Sequence, residues 1–381
     1  MNKILHISIL IFASLNAFSQ SKEEENKLEF KGQLSSWVHY NNNNTYPVYV
    51  GTRYIPQLNY EFNTSTNYKI DFEASANAVG DVGIQFWDKA EGNASLNAYR
   101  LWGRYSTDQL EVRIGLQKID FGTAQILRAL RWFDQVDPRD PLQLTDGVYG
   151  ALARYYFLNN ANIWLWSLYG NNNQKGMEVI GTNKTIPEFG GRIQFPVPMG
   201  ETGISYHHRV ANSEEFEGVI PEYEKIPENR IGIDGKWDLV VGLWFEGAYV
   251  NKSKYVGALT HQQIFTLGSD YTFNLGAGLN VTLEHMLFSN DENAFEFANT
   301  NNNTALSMMY PIGMFDNIQA ISYYNWEQKQ IYNFVNWFRS FDKTTFYLMA
   351  YWNPENAVVP TGGIQNLYAG KGIQFMFVFN H

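Results

Sequence analysis

The chain has 381 residues, a formal net charge of −10, no cysteine, and 16% aromatic residues within a 45% hydrophobic composition. Without cysteine there is no disulfide scaffold, no thiolate metal site and no lipid anchor on an N-terminal Cys. Acidity without a basic face argues against a nucleic-acid partner. Abundant aromatics lacking long apolar runs suit an all-β chain, either soluble or a barrel with strands apolar on one face.

The first residues read as an export signal. Met1, Asn2 and Lys3 form a short cationic start, Ile4 to Phe12 is mostly apolar, and Ala17-Phe18-Ser19-Gln20 carries small residues where a signal peptidase cuts. Cleavage before Gln20 makes 1–19 a signal peptide and 20–381 the mature chain. The apolar run is too short for a helical span, and no later segment reaches the roughly 18 consecutive apolar residues that one needs. An exported chain without such a helix can still live in a membrane as a closed barrel, because closure pairs every backbone group.

Past a short polar lead at Lys22-Glu23-Glu24-Glu25, alternation by two begins. Leu28, Phe30, Leu34, Val38 and Tyr40 share one face, against Glu29, Lys31, Gln33, Ser35, Trp37 and His39 on the other. Tyr68, Ile70, Phe72, Ala74, Ala76 and Ala78 alternate with Lys69, Asp71, Glu73, Ser75 and Asn77; Leu110, Val112, Ile114 and Leu116 alternate with Glu111, Arg113 and Gln117. Later, Leu279, Val281, Leu283 and Leu287 oppose Asn280, Thr282 and Glu284. Charged residues at every other position over about ten residues fit a wall with lipid outside and water inside. A soluble sandwich would use shorter strands around a dry core.

Connection lengths give an independent test, since bacterial barrels place tight turns at one end and long loops at the other. Tight candidates are Asn63–Thr66, Thr107–Gln109, Leu158–Ala161, Val197–Gly200, Asn274–Ala277 and Phe341–Lys343. Longer polar stretches fall near 80–93, 120–146, 171–187, 211–228, 252–262, 290–302 and 353–370. This alternation predicts an all-β transmembrane antiparallel barrel of about 16–18 strands. The regions 161–170 and 303–340 carry aromatics on both faces and define strands least clearly. The runs Asn41–Asn44, Asn171–Asn173 and Asn301–Asn303 are expected in outward loops as turn chemistry.

Residues 110–157 are the most distinctive. A strand ending Arg113-Ile114-Gly115-Leu116-Gln117-Lys118 leads through Phe121-Gly122 into the longest connection, 120–146, which counts as the third outward loop. Long structureless connections are usually functional. Between 100 and 154, eight Lys/Arg (Arg100, Arg104, Arg113, Lys118, Arg128, Arg131, Arg139, Arg154) face seven Asp/Glu, among them Asp134, Asp137 and Asp140. That near balance predicts no strong preference for anions or cations. A wide barrel needs narrowing to discriminate, so Arg128, Arg131, Asp134, Arg113, Lys118, Arg154, Arg100 and Arg104 are the candidate pore-lining residues. The Asp137-Pro138-Arg139-Asp140 turn suits a staple, which makes Asp137, Arg139 and Asp140 candidate loop anchors.

The Arg113-x-Gly115-x-Gln117 strand, the Phe121-Gly122 step and the Asp137-Pro138-Arg139-Asp140 turn resemble the broad family of alginate-export-like and related outer-membrane porins. Phe121 stands where that family commonly has Trp. The resemblance implies an outer-membrane channel with a loop folded into its lumen. The final stretch Gly372–His381, with Ile373, Phe375, Phe377 and Phe379 on one face, resembles the closing strand that the barrel-assembly machinery reads. Here it ends two residues past the last aromatic.

Nothing points to catalysis. His207 and His208 are adjacent on a strand and face opposite ways, His39, His261 and His285 are scattered, and neither HExxH nor Gly-x-Ser-x-Gly occurs. Trp164, Trp166, Trp244, Trp326, Trp337 and Trp352 read as interfacial girdles rather than sugar platforms. The expectation is therefore passive diffusion of small hydrophilic solutes, with no cofactor or metal. The partners are outer-membrane lipid and the assembly machinery, and homo-oligomers stay open. Two other readings remain. A plugged barrel acting as adhesin or complex component would not conduct, and a secreted all-β glycan-binding protein would dissolve without detergent.

Overall fold

The structure is a computed structural model describing residues 27–65, 67–86, 88–171, 173–216, 218–355 and 367–381. The expected export signal, residues 1–19, lies outside the described residues. Eighteen strands follow in chain order: β1 (Lys27–Asn41), β2 (Val48–Ser65), β3 (Tyr68–Ile84), β4 (Ala90–Ser106), β5 (Leu110–Gln117), β6 (Val148–Tyr156), β7 (Asn162–Leu168), β8 (Glu188–Val197) and β9 (Gly200–Ala211), then β10 (Ile226–Asp238), β11 (Gly242–Lys252), β12 (His261–Phe273), β13 (Leu279–Asp291), β14 (Thr300–Pro311), β15 (Asp316–Asn325), β16 (Gln330–Ser340), β17 (Thr344–Trp352) and β18 (Lys371–Asn380). Each strand pairs antiparallel with its chain neighbours, and β18 pairs with β1 from Gln33 opposite Asn380 to Asn41 opposite Gly372. The sheet therefore closes, and no strand edge is left unpaired among the described residues.

Alternation sets which way each side chain points. On β13, Leu283 is 47% exposed while its neighbour Glu284 is fully buried; on β10, Ile231 is 50% exposed beside Arg230 at 4%. Apolar side chains outside and charged ones inside reverse the order of a soluble sandwich. Two register shifts interrupt the pattern: one lies between Phe62 and Ser65 of β2, and at the other Ser75 faces Arg100 and Ala76 faces Ala98, so Tyr99 is the extra residue of β4.

Turns after even-numbered strands are short, as at 107–109, 198–199, 239–241, 274–278 and 341–343, and the connection after β5 is the longest. Two connections depart from the sequence-based expectation. The 326–329 turn after β15 is also tight, closed by Gln328 N donating to Asn325 Oδ1 at 2.7 Å. Asn301–Asn303 belong to β14 rather than to a loop. There the β-ladder continues and the amides bond one another, Asn325 Nδ2 donating to Asn301 Oδ1 at 2.7 Å and to Asn303 Oδ1 at 3.1 Å.

Candidate functional site

The long connection 118–147 starts from the two glycines of its motif. Gly115 has φ +126°, and a Cβ there would overlap the Leu101 carbonyl oxygen of β4. Gln117 closes this strand end by donating from Nε2 to the carbonyls of Arg113 (3.2 Å) and Gly150 (3.0 Å). At Gly122, φ is +108° and the backbone lies against the Glu246 carboxylate, where a Cβ would collide.

Two carboxylates on the inner faces of β11 and β13 hold the backbone of residues 123–130. Glu246 accepts from Thr123 N (2.6 Å), Ala124 N (2.8 Å) and Leu130 N (2.9 Å). Glu284 accepts from Gln125 N (2.7 Å), Ile126 N (3.0 Å) and Leu127 N (2.5 Å), and from Trp244 Nε1 at 3.0 Å. Thr266 Oγ1 donates to the Leu127 carbonyl at 2.7 Å. Charge-assisted bonds of this kind are about twice as strong as neutral ones, and they satisfy backbone groups that no β-ladder reaches.

Apolar packing adds more. Ile119, Phe121, Leu127, Ala129, Leu130, Trp132 and Phe133 form one buried cluster with Val148, Leu152, Trp166 and Leu168 of β6–β7 and with Ala248, Ile264, Met286 and Ala305 of β11–β14. Phe121 stacks on Trp166 at 5.6 Å, and Phe133 meets Trp166 edge-on at 5.5 Å. Each large side chain buried here contributes roughly 1.5–3 kcal/mol. Between residues 119 and 133 the connection is held by its apolar residues and backbone amides.

The candidate charges take distinct places. Arg128 is paired with Asp134 at 2.6 Å and donates to the Phe121 carbonyl at 3.1 Å, with Asp134 itself buried. Arg131 is half-buried, its Nε has no hydrogen-bond partner, and burial holds its guanidinium below the usual arginine value. Arg139 grips Asp137 through Nε and Nη2, both at 2.8 Å, and lies over Phe334 at 5.1 Å and Tyr368 at 5.5 Å. Asp140 accepts from Leu142 N (3.0 Å) and Leu144 N (3.4 Å). Arg100 donates to the Thr145 carbonyl at 2.9 Å, tying β4 to the connection's end. Lys118 pairs with Asp120 at 2.8 Å. Arg104, Arg113 and Arg154 converge on Glu111 at 3.5, 3.1 and 3.6 Å, and Arg104 also grips Asp71 at 2.7 Å.

A second group of charges escaped the sequence-based selection. Arg192 meets Asp234 at 2.5 Å, Arg209 meets Glu228 at 2.6 Å, Arg230 meets Glu178 at 2.7 Å, and Lys175 meets Glu188 at 3.1 Å. All are nearly free of solvent exposure. Their inward parity is legible along β8–β10, but their pairing depends on strand register and on the 169–187 connection. His207 is buried between Trp166, whose Nε1 donates to its Nδ1 at 3.1 Å, and Glu188; His208 faces the other way, to Asn229. The tryptophans also divide. Trp326 and Trp352 are exposed, at 54% and 47%, and Trp337 pairs with outward Ile318. Trp166 and Trp244 are buried inside the wall, and Trp164 lies under Arg154 at 3.9 Å. The girdle expectation is thus corrected for Trp164, Trp166 and Trp244, because their strand parity points inward.

No protein-family model matches the chain, and no curated protein matches it in sequence. Solved structures do. OccAB1 of Acinetobacter baumannii superposes with a TM-score of 0.57 at 8% identity, over 96% of this chain and 98% of that one. OccK7 (OpdD) of Pseudomonas aeruginosa gives 0.55 at 9% identity, over 93% and 98%. OmpF of Salmonella typhi, in complex with daunomycin, gives 0.51 at 9%, over 95% and 99%. The fold is that of outer-membrane porins. At these identities the likeness concerns the fold alone. A porin fold does not by itself specify a solute, so function has to be read from the side chains described above.

Proposed function

We propose that this barrel sits in the outer membrane of a Gram-negative-type bacterium and passes small hydrophilic solutes by passive diffusion. In this reading the 118–147 connection folds into the lumen and narrows it. The observation that carries it is the set of amide bonds from residues 123–130 to Glu246 and Glu284. Those carboxylates belong to β11 and β13, while the connection springs from β5 and β6. A connection reaching between these walls partitions an otherwise wide lumen. The proposed path then runs beside its Pro138–Gln143 edge, with Arg104, Arg113 and Arg154 on the β4–β6 wall and Arg128 and Arg131 setting the field near the constriction.

Kinship with the alginate-export-like porins, export by residues 1–19 and insertion by the barrel-assembly machinery belong to the same proposal. Kinship is supported by the Arg113–Gln117, Phe121-Gly122 and Asp137–Asp140 motifs, insertion by the aromatic face of β18, and export by the cationic start at Lys3, the apolar Ile4–Phe12 run and the small residues Ala17 and Ser19. The proposal includes no catalysis and no cofactor. Purified protein should migrate faster in detergent gels unboiled than boiled, and should raise the conductance of a planar bilayer. Replacing Arg128 and Arg131 together with Ala should change single-channel conductance or reversal potential. Unchanged values for both would remove these two arginines from the pathway, and a non-conducting barrel would overturn the pore itself.

A further inference from the structure

The Pro138–Gln143 edge of the long connection does not pack tightly on the opposite wall. A cleft of about 240 Å³ lies between it and the inner faces of β14–β17. Its chemistry is mixed: Phe338 and Tyr347 supply ring faces, and Arg139, Asp140, Gln319 and Asn336 supply polar groups. Phe338 and Tyr347 sit 5.8 Å apart at 33° and are only half-buried, so their faces are not consumed by packing. Two buried polar atoms of residues lining the cleft lack a hydrogen-bond partner, the donor Nη1 of Arg139, whose guanidinium lies over Phe334 and Tyr368, and the acceptor Oδ1 of Asn336. The Arg139 side chain is only 3% exposed, and its remaining nitrogens are committed to Asp137. Buried groups left in this state call for a partner that brings its own donor and acceptor.

We propose that this cleft is a binding subsite for a neutral hydroxylated ring, of the size and chemistry of one monosaccharide unit. A hydroxyl both donates and accepts, so one ring can satisfy Asn336 Oδ1 and Arg139 Nη1 together, while its C–H face lies on Phe338 and Tyr347. An anion is disfavoured because Arg139 is already neutralised by Asp137 and Asp140 adds a negative charge. A purely apolar ring leaves both orphaned atoms unsatisfied. The inference rests on the pore reading for its access route, and it is tested so that the two can fail separately.

The full mature barrel is placed in a planar bilayer, and methyl α-D-glucopyranoside is added from the millimolar range upward, with glycerol as the viscosity control. The glucoside should reduce ion current saturably, glycerol only linearly, and gluconate should cause no saturable block. Phe338→Ala or Tyr347→Leu, the latter keeping apolar volume without a ring, should raise the half-blocking concentration about ten-fold. Asn336→Leu should do likewise. Saturation-transfer NMR between detergent-solubilised barrel and the glucoside reads the subsite whether or not the barrel conducts. Normal conductance with no saturable block and no transfer overturns the subsite. Transfer without conductance overturns the pore and leaves the subsite standing. Block and transfer that persist unchanged in all three variants place binding elsewhere and overturn the assignment.

Discussion

Two walls of this barrel are built from the same inward-facing alternation and are filled in opposite ways. Along β8–β11, Arg192 pairs with Asp234, while Arg209, Glu228 and Arg230 interlock with Glu178 and through it with Lys175, and the space left beside this second group is about 30 Å³. Along β14–β18, most inward positions are apolar or aromatic, among them Ile321, Tyr323, Phe334, Phe338, Tyr347, Met349, Tyr351 and Met376, with neutral amides such as Gln319 and Asn336 between them, and the cleft beside them is about 240 Å³. The difference follows from solvation. A charge withdrawn from water must be paired and hydrogen-bonded on every side, so the ionic wall has to be packed solid. Aromatic faces make no such demand and can border open space.

The largest effect should come from breaking the ionic wall. Glu228 serves Arg209 (2.6 Å), Arg230 (2.8 Å) and Lys252 (3.3 Å), so Glu228→Gln leaves three buried cations short of one charge. A loss of about 3–5 kcal/mol is expected, read as a lower temperature at which the unboiled gel band shifts. Phe338→Ala, at a half-buried site on the aromatic wall, should cost clearly less; equal losses would erase the contrast between the walls.

Next in size is release of the 118–147 connection, the partition of the proposed pore. Glu246→Ala combined with Glu284→Ala removes the acceptors of the amide bonds from residues 123–130. Single-channel conductance should rise about two-fold or more as the connection leaves its seat. Conductance equal to that of the parent would mean that the apolar cluster around Leu130 and Trp132 suffices to hold it.

Smaller shifts should sharpen the charge map. Glu111 is shared by Arg104, Arg113 and Arg154. Glu111→Gln should therefore move the reversal potential toward anions, by on the order of 10 mV in a ten-fold salt gradient. No movement would place these arginines away from the ion path. The smallest effect concerns Asp140, whose carboxyl burial raises above the ordinary aspartate range, against the Leu142 amide and Arg53, which lower it, with Asp137 raising it further. A raised pKa makes the proton bind more tightly in the folded state. Its stability contribution is complete at low pH and disappears as pH rises through the folded value. Acidification should thus reduce cation preference at a pH above that of exposed aspartates, and Asp140→Asn should abolish the step. An identical pH profile in that variant would assign the step to another carboxylate.

Much of the fold was legible along the chain because barrel strands obey a local rule. Leu283 and Glu284 differ in environment because neighbours on a strand point opposite ways, and no knowledge of partners is needed to see it. The tight turns at 107–109 and 198–199, the place of the long connection after the fifth strand and the role of Gly372–His381 as a closing strand follow from the same periodicity. Where aromatics occupy both faces, as around 326–329, the rule loses its contrast and hides the turn, and at Asn301–Asn303 the turn preference of Asn masks the strand.

What only the tertiary structure decided is which groups from distant parts of the chain meet. Glu246 and Glu284 look like ordinary inward carboxylates until barrel closure sets them opposite backbone amides more than a hundred residues earlier. Arg139 looks like a simple turn staple until it is found over Phe334 and Tyr368 with one nitrogen unpartnered. Local sequence states how each residue faces; distances between distant residues arise from curvature and register, which no single strand encodes.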